Sequence, residues 1–64
     1  MGAKLILRDK EYEVPAGITV KQALKQVGIL PETVLATRNG ELITEDERLK
    51  EGDEIRLVAV ISGG

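Results

Sequence analysis

The stretch Ile18-Thr19-Val20-Lys21-Gln22-Ala23-Leu24-Lys25-Gln26-Val27-Gly28 decides the fold, because its apolar residues recur at helical rather than strand spacing. Thr19 followed by Gln22 is a capping box, in which each side chain satisfies a backbone donor left free at a helix start. Val20, Ala23, Leu24 and Val27 fall on one stripe, with Lys21, Gln22, Lys25 and Gln26 on the wet side. Gly28 supplies a left-handed C-cap, and Ile29 is the apolar residue that often folds back over such a cap. The predicted helix, residues 19–27, is too short to persist alone and must lie on a sheet.

Working outward, the flanking segments read as strands. Upstream, residues 3–8 carry Leu5, Ile6 and Leu7, and residues 11–14 alternate polar groups with Tyr12 and Val14, so the short link Asp9-Lys10 makes a hairpin. Pro15-Ala16-Gly17 ends the second strand, since proline lacks the ladder N–H. Downstream, residues 33–38 are β-prone, Asn39-Gly40 is a strong tight-turn signal, and Glu41-Leu42-Ile43 gives a short return strand. Thr44 to Glu47 repeats the capping-box spacing, which predicts a brief helical turn leading to Leu49 in the core. Gly52-Asp53 then turns the chain into a last strand over residues 55–60.

The order β-β-α-β-β-turn-β, without repeats or linkers, predicts one α+β domain over residues 1–61: a mixed sheet of four to five strands with one helix packed across it. Residues 62–64 read as a flexible C-terminal tail. The expected core is the helix stripe with Leu5, Leu7, Val14, Leu49, Ile55 and Leu57. In the last strand Ile55, Leu57 and Ala59 share one face, while Arg56, Val58 and Val60 share the other. Apolar groups on both sides fit either a docking surface or a central strand covered twice.

Composition removes several classes of function. At 64 residues, the domain buries only about 60 % of its unfolded surface, which leaves little room for an internal catalytic cavity. Without Cys or His it lacks a thiolate, an imidazole base and the usual zinc ligands, so it is not expected to be an enzyme by itself. A formal charge of -2 and a lone aromatic, Tyr12, argue against direct nucleic-acid binding. The acids Glu45-Asp46-Glu47, Glu51, Asp53 and Glu54 do not have the spacing of a calcium loop, and no metal site is expected. No apolar run is long enough to span a bilayer and no signal-peptide layout is present, so no membrane association and a cytoplasmic location are expected. Met1-Gly2 opens like a myristoylation signal, but Ile6 stands where Ser or Thr is needed. High charge with one Asn and one Met leans towards a thermophile.

The element order, Asn39-Gly40, the Gly52-Asp53-Glu54-Ile55 entry to the last strand and the ending Val60-Ile61-Ser62-Gly63-Gly64 together resemble the ubiquitin-like sulfur carriers, small β-grasp proteins. That family includes the thiamin-pathway carrier, the small subunit of molybdopterin synthase and the tRNA 2-thiouridine carriers. The resemblance covers essentially the whole chain, and its one chemical signature is the terminal diglycine. It implies that the Gly64 carboxylate is adenylated by an activating enzyme using ATP and converted to a thiocarboxylate that donates sulfur, with Gly63 in the tail. No cofactor is held permanently, and ATP belongs to the partner. The implied partners are the activating enzyme, a sulfur donor and a sulfur-accepting enzyme such as a tRNA thiolase or thiazole synthase, with the carrier itself a monomer.

Tail chemistry points the same way. A carboxylate is a poor electrophile until a leaving group such as AMP replaces its oxygen, and that exchange needs another protein's catalytic site. Residues 62–64 span at most about 10 Å when extended, and glycine presents no Cβ to obstruct a narrow channel. Val58, Val60 and Ile61, with Arg56, are the expected docking surface for the activating enzyme, and Arg38 and Arg8 are candidates to flank it. The compact length and the Ile61-Ser62-Gly63-Gly64 ending most resemble the tRNA-thiolation carriers, ahead of the thiamin carrier and the molybdopterin-synthase subunit. A modifier forming isopeptide bonds through the same carboxylate, and a β-grasp binding module with an incidental diglycine, are the competing functions.

Overall fold

The computed structural model describes residues 2–60. Its elements are β1 (Ala3–Leu7), β2 (Lys10–Val14), α1 (Val20–Gln26), a short 3-10 turn (Pro31–Thr33), β3 (Val34–Arg38), β4 (Glu41–Ile43) and β5 (Glu54–Ala59). The strands form one mixed sheet in the order β2-β1-β5-β3-β4. β5 lies centrally, parallel to β1 and antiparallel to β3, while β1–β2 and β3–β4 are antiparallel hairpins. This is the β-grasp arrangement: α1 carries the chain across one face so that the last strand enters between the two hairpins.

The helix start is fully satisfied. Thr19 Oγ1 accepts the Gln22 N–H at 3.2 Å and Gln22 Oε1 accepts the Thr19 N–H at 3.0 Å. The remaining first-turn donors are met by Thr19 O, which takes the Ala23 N–H, and by loop carbonyls: Glu47 O takes that of Val20 and Glu45 O that of Lys21. At the other end Gly28 lies at φ +80, its N–H donating to Lys25 O and the Ile29 N–H to Leu24 O. That pair of bonds is the Schellman closure expected of Gly28 followed by an apolar Ile29.

Five of the local expectations are revised. The first hairpin turns at residues 8–9 rather than 9–10, because Leu7 pairs with Lys10. Arg8 consequently sits at φ +58. Residues 44–47 make a hydrogen-bonded turn, Glu47 N–H to Thr44 O at 3.2 Å, without continuing into a helix. The carbonyls of Glu45 and Glu47 cap α1 instead, so they are not free to serve a second helix. Thr33 ends the 3-10 turn begun by Pro31 rather than starting a strand. The last strand is shifted one residue back, to Glu54–Ala59. The core comprises Ala3, Leu5, Val14, Val20, Ala23, Leu24, Val34, Ala36, Leu49, Ile55 and Leu57, while Leu7 and Val27 are only partly buried at its margin.

Asn39 and Gly40 both have positive φ, +54 and +82, as a type I′ two-residue turn requires, and they fix the Arg38–Glu41 register of the β3–β4 hairpin. At Gly2 the constraint is space: a Cβ there would run into the Val14 carbonyl oxygen, and the Gly2 carbonyl accepts the Gly52 N–H at 3.0 Å. Among the described residues no helix is long and apolar enough to cross a membrane.

Candidate functional site: the open sheet face and the root of the tail

Strand parity divides β5 as the sequence predicts. Ile55 and Leu57 are buried beneath α1, and Arg56 and Val58 point to the opposite face, which no second layer covers among the described residues. Val58 is 48 % exposed, which removes the alternative of a strand covered on both sides. Register brings other residues to the same face: Leu35 lies opposite Val58, Ile6 and Thr37 flank Arg56, and Leu42 lies opposite Thr37. Leu35 is 43 % exposed and Leu42 65 %, so the face carries an apolar stripe with a guanidinium in its middle. Thr37 Oγ1 donates to Arg56 O at 3.0 Å, tying β3 to β5 beneath that stripe.

Arg8 lines a shallow depression of about 340 Å³ with Ile6, Arg56 and Val58, and so flanks the patch as expected. Arg38 does not. It lies on the helix side of the sheet, donating from Nη2 to Asp53 Oδ2 at 2.9 Å and to Arg48 O at 3.0 Å. Its role is to tie the loop before β5 to β3. Ile6, Leu35 and Leu42 were missed as patch residues in the reading of sequence. The signal was present in the Asn39-Gly40 turn, which sets Leu42 opposite Thr37, and in the period-two alternation that gives Leu35 the parity of Thr37.

The patch adjoins the C-terminal end of β5. Past Ala59, the Val60 N–H donates to Thr33 O at 2.8 Å, so backbone pairing continues to the last described residue. Val60 is 37 % exposed. Ile61, Gly63 and Gly64, named from the sequence as docking and reacting residues, and the expected tail over residues 62–64, lie outside the described residues.

Comparison with known proteins extends the picture over those residues. The chain is 38 % identical over 55 residues to the sulfur carrier protein TtuB of Thermus thermophilus, covering 86 % of this chain and 85 % of that protein. It is also 39 % identical over 56 residues to an uncharacterized protein of Archaeoglobus fulgidus, covering 86 % of this chain and 82 % of that one. The Thermus relative is in keeping with the charge-rich composition. A β-grasp order of strands and a match to the ThiS family that runs from residue 3 through the diglycine to residue 64 agree with one another: the chain belongs to the ThiS family.

Proposed function

We propose that this protein is a sulfur carrier whose Gly64 carboxylate is adenylated by a partner enzyme, converted to a thiocarboxylate and consumed as a sulfur source, most specifically for tRNA 2-thiolation. The observation that carries the proposal is the 38 % identity, over 86 % of this chain, to a sulfur carrier protein. The compact length and the Ile61-Ser62-Gly63-Gly64 ending favour the tRNA branch over the thiamin and molybdopterin branches.

In the proposed chemistry a carboxylate oxygen of Gly64 attacks the α-phosphorus of ATP, and pyrophosphate leaves. Hydrosulfide, the sulfur donor at its simplest, then attacks the acyl carbon, and AMP leaves with the original oxygen. A proton is lost to solvent and the product is a thiocarboxylate. The carrier contributes no acid, base or nucleophile beyond this end group. Its body contributes placement, with Val58, Val60 and Ile61 as apolar contacts and Arg56 as the charged one for the activating enzyme. It acts as a co-substrate of partner enzymes.

Incubation with the cognate activating enzyme, magnesium ATP and hydrosulfide raises the intact mass by about 16 Da, the difference between sulfur and oxygen, through an activated acyl intermediate. Deleting Gly64 abolishes the increase and leaves the folded circular-dichroism spectrum intact. A Gly64-deleted protein that still gains the mass, or an intact one that never does with an activating enzyme proven on another carrier, overturns the assignment.

A further inference from the structure

β4 stops short of the strand it borders. It pairs only with Ala36, Thr37 and Arg38, so among the described residues no strand lies beside Val34 and Leu35 on that side. Along this uncovered edge runs a groove of about 360 Å³. Buried Val20, Leu24 and Val34 reach it from the helix side of the sheet, and exposed Leu35, Leu42 and Val60 from the open side. A sheet edge flanked by apolar side chains on both faces suits one kind of occupant. An extended segment lying along the edge sends successive side chains alternately to the two faces, and here each would meet an apolar wall.

Charge narrows the choice. The ionisable residues lining the groove are Glu32 and Glu45, both exposed, and among the described residues neither is in an ion pair. Two carboxylates disfavour the chain's own carboxylate-bearing end. They also disfavour a second copy related by a two-fold axis along this edge, which would bring its own Glu32 and Glu45 to the contact. A segment with lysine or arginine beside its apolar residues complements them.

We propose that the β3 edge is a docking groove for an extended segment of a partner protein, apolar at successive positions and flanked by basic residues. The groove is separate from the tail's chemistry, and it includes Val60, which precedes the last four residues of the chain. A partner strand seated there holds the root of the tail from the edge of the sheet. The groove shares Leu35, Leu42 and Val60 with the open face, while Ile6, Arg56 and Val58 lie outside it, so a strand in the groove and a protein on the open face meet at the shared residues.

The test uses the full-length chain, labelled with nitrogen-15, and an acetylated, amidated heptapeptide of alternating valine and isoleucine flanked by lysines. Saturable amide shifts at Val34, Leu35, Leu42 and Val60 are expected. Binding falls about tenfold for the Glu32→Lys, Glu45→Lys double variant and for a glutamate-flanked peptide, the scale of two surface ion pairs lost and reversed. Leu42→Asp, at an exposed position, weakens binding while leaving the rest of the spectrum in place. No saturable binding, shifts confined to Ile6, Arg56 and Val58, or equal affinity for the charge-reversed variant overturns the proposal. Sedimentation showing a dimer that Leu42→Asp abolishes gives the groove to a second copy and overturns it equally.

Discussion

Removing the Asp53 carboxylate should loosen the whole segment between β4 and β5. Asp53 Oδ2 receives two donors: Arg38 Nη2 at 2.9 Å and the Lys50 N–H at 2.8 Å. Arg38 also donates to Arg48 O, and its Nη1 lies 4.0 Å from Glu47 Oε2. The segment so held carries Leu49, 2 % exposed, into the core. Asp53→Ala deletes both bonds and leaves a guanidinium whose side chain is only 21 % exposed with Arg48 O and the more distant Glu47 as its remaining partners. Breaking a fully buried pair destabilises by about 3–5 kcal/mol, and partial exposure reduces that here to about 2–3 kcal/mol. For a domain of this size the total stability is roughly 3–10 kcal/mol, so the melting temperature should drop by roughly 10–20 °C. Asp53→Asn keeps an oxygen for the Lys50 N–H and loses only the charge, so its loss should be no more than half as large. Thermal unfolding followed by far-UV circular dichroism decides. An Asp53→Ala melting point within a few degrees of the parent would show that the clamp does not hold the segment, and equal losses for the two variants would show that the charge on Asp53, not its bond to the Lys50 N–H, does the holding.

Three further outcomes are expected. Leu24→Ala, at a helix position 1 % exposed, opens a cavity worth about 2–5 kcal/mol, read as a lower denaturant midpoint with an unchanged slope. Gly28→Ala meets no atom within 4 Å of its new Cβ yet destabilises by about 1 kcal/mol, because the residue is at φ +80; an unchanged midpoint would show that the helix end rearranges without strain. Val58→Glu retains the melting point, since the residue is 48 % exposed, while slowing adenylation by the cognate enzyme; an unaltered rate would move the docking surface elsewhere.

What the sequence disclosed and what it withheld follow a physical division. Signals carried by a few adjacent residues were legible: Thr19 with Gln22 for the helix start, Gly28 with Ile29 for its end, Asn39-Gly40 for the hairpin. Thr44 to Glu47 misled because the same spacing serves a single turn whose carbonyls are already committed to capping α1, a tertiary demand invisible in the local pattern. Ala3, Val34 and Ala36 escaped the expected core for a similar reason: small or short-run residues become buried by where their strands sit in the sheet. Arg38 was misplaced onto the open face. Its guanidinium answers to Asp53, fifteen residues on, and strand alternation puts it on the side of buried Val34 and Ala36, a parity that was legible in the sequence.

The central position of β5 links the fold to the proposed work of the tail. An edge strand would leave the base of the tail held by one ladder, free to fray with the strand end. Here β5 is paired on both sides, by β1 through Leu57 and by β3 through Ala59, and the Val60 N–H extends the hold to Thr33. Pairing therefore reaches Val60, the last described residue. On the proposed function, chain length alone bounds the reach from Val60 to the Gly64 carboxylate at about 14 Å, and with it the depth of a site that activates that carboxylate. A longer tether would reach deeper but lose more conformational entropy on threading, since each residue fixed costs roughly 1–2 kcal/mol. The parity of β5 adds the second half of the geometry. The same strand presents Arg56 and Val58 on its uncovered side, so on the proposed function one rigid element carries the body contact and is also the element that the diglycine follows in sequence.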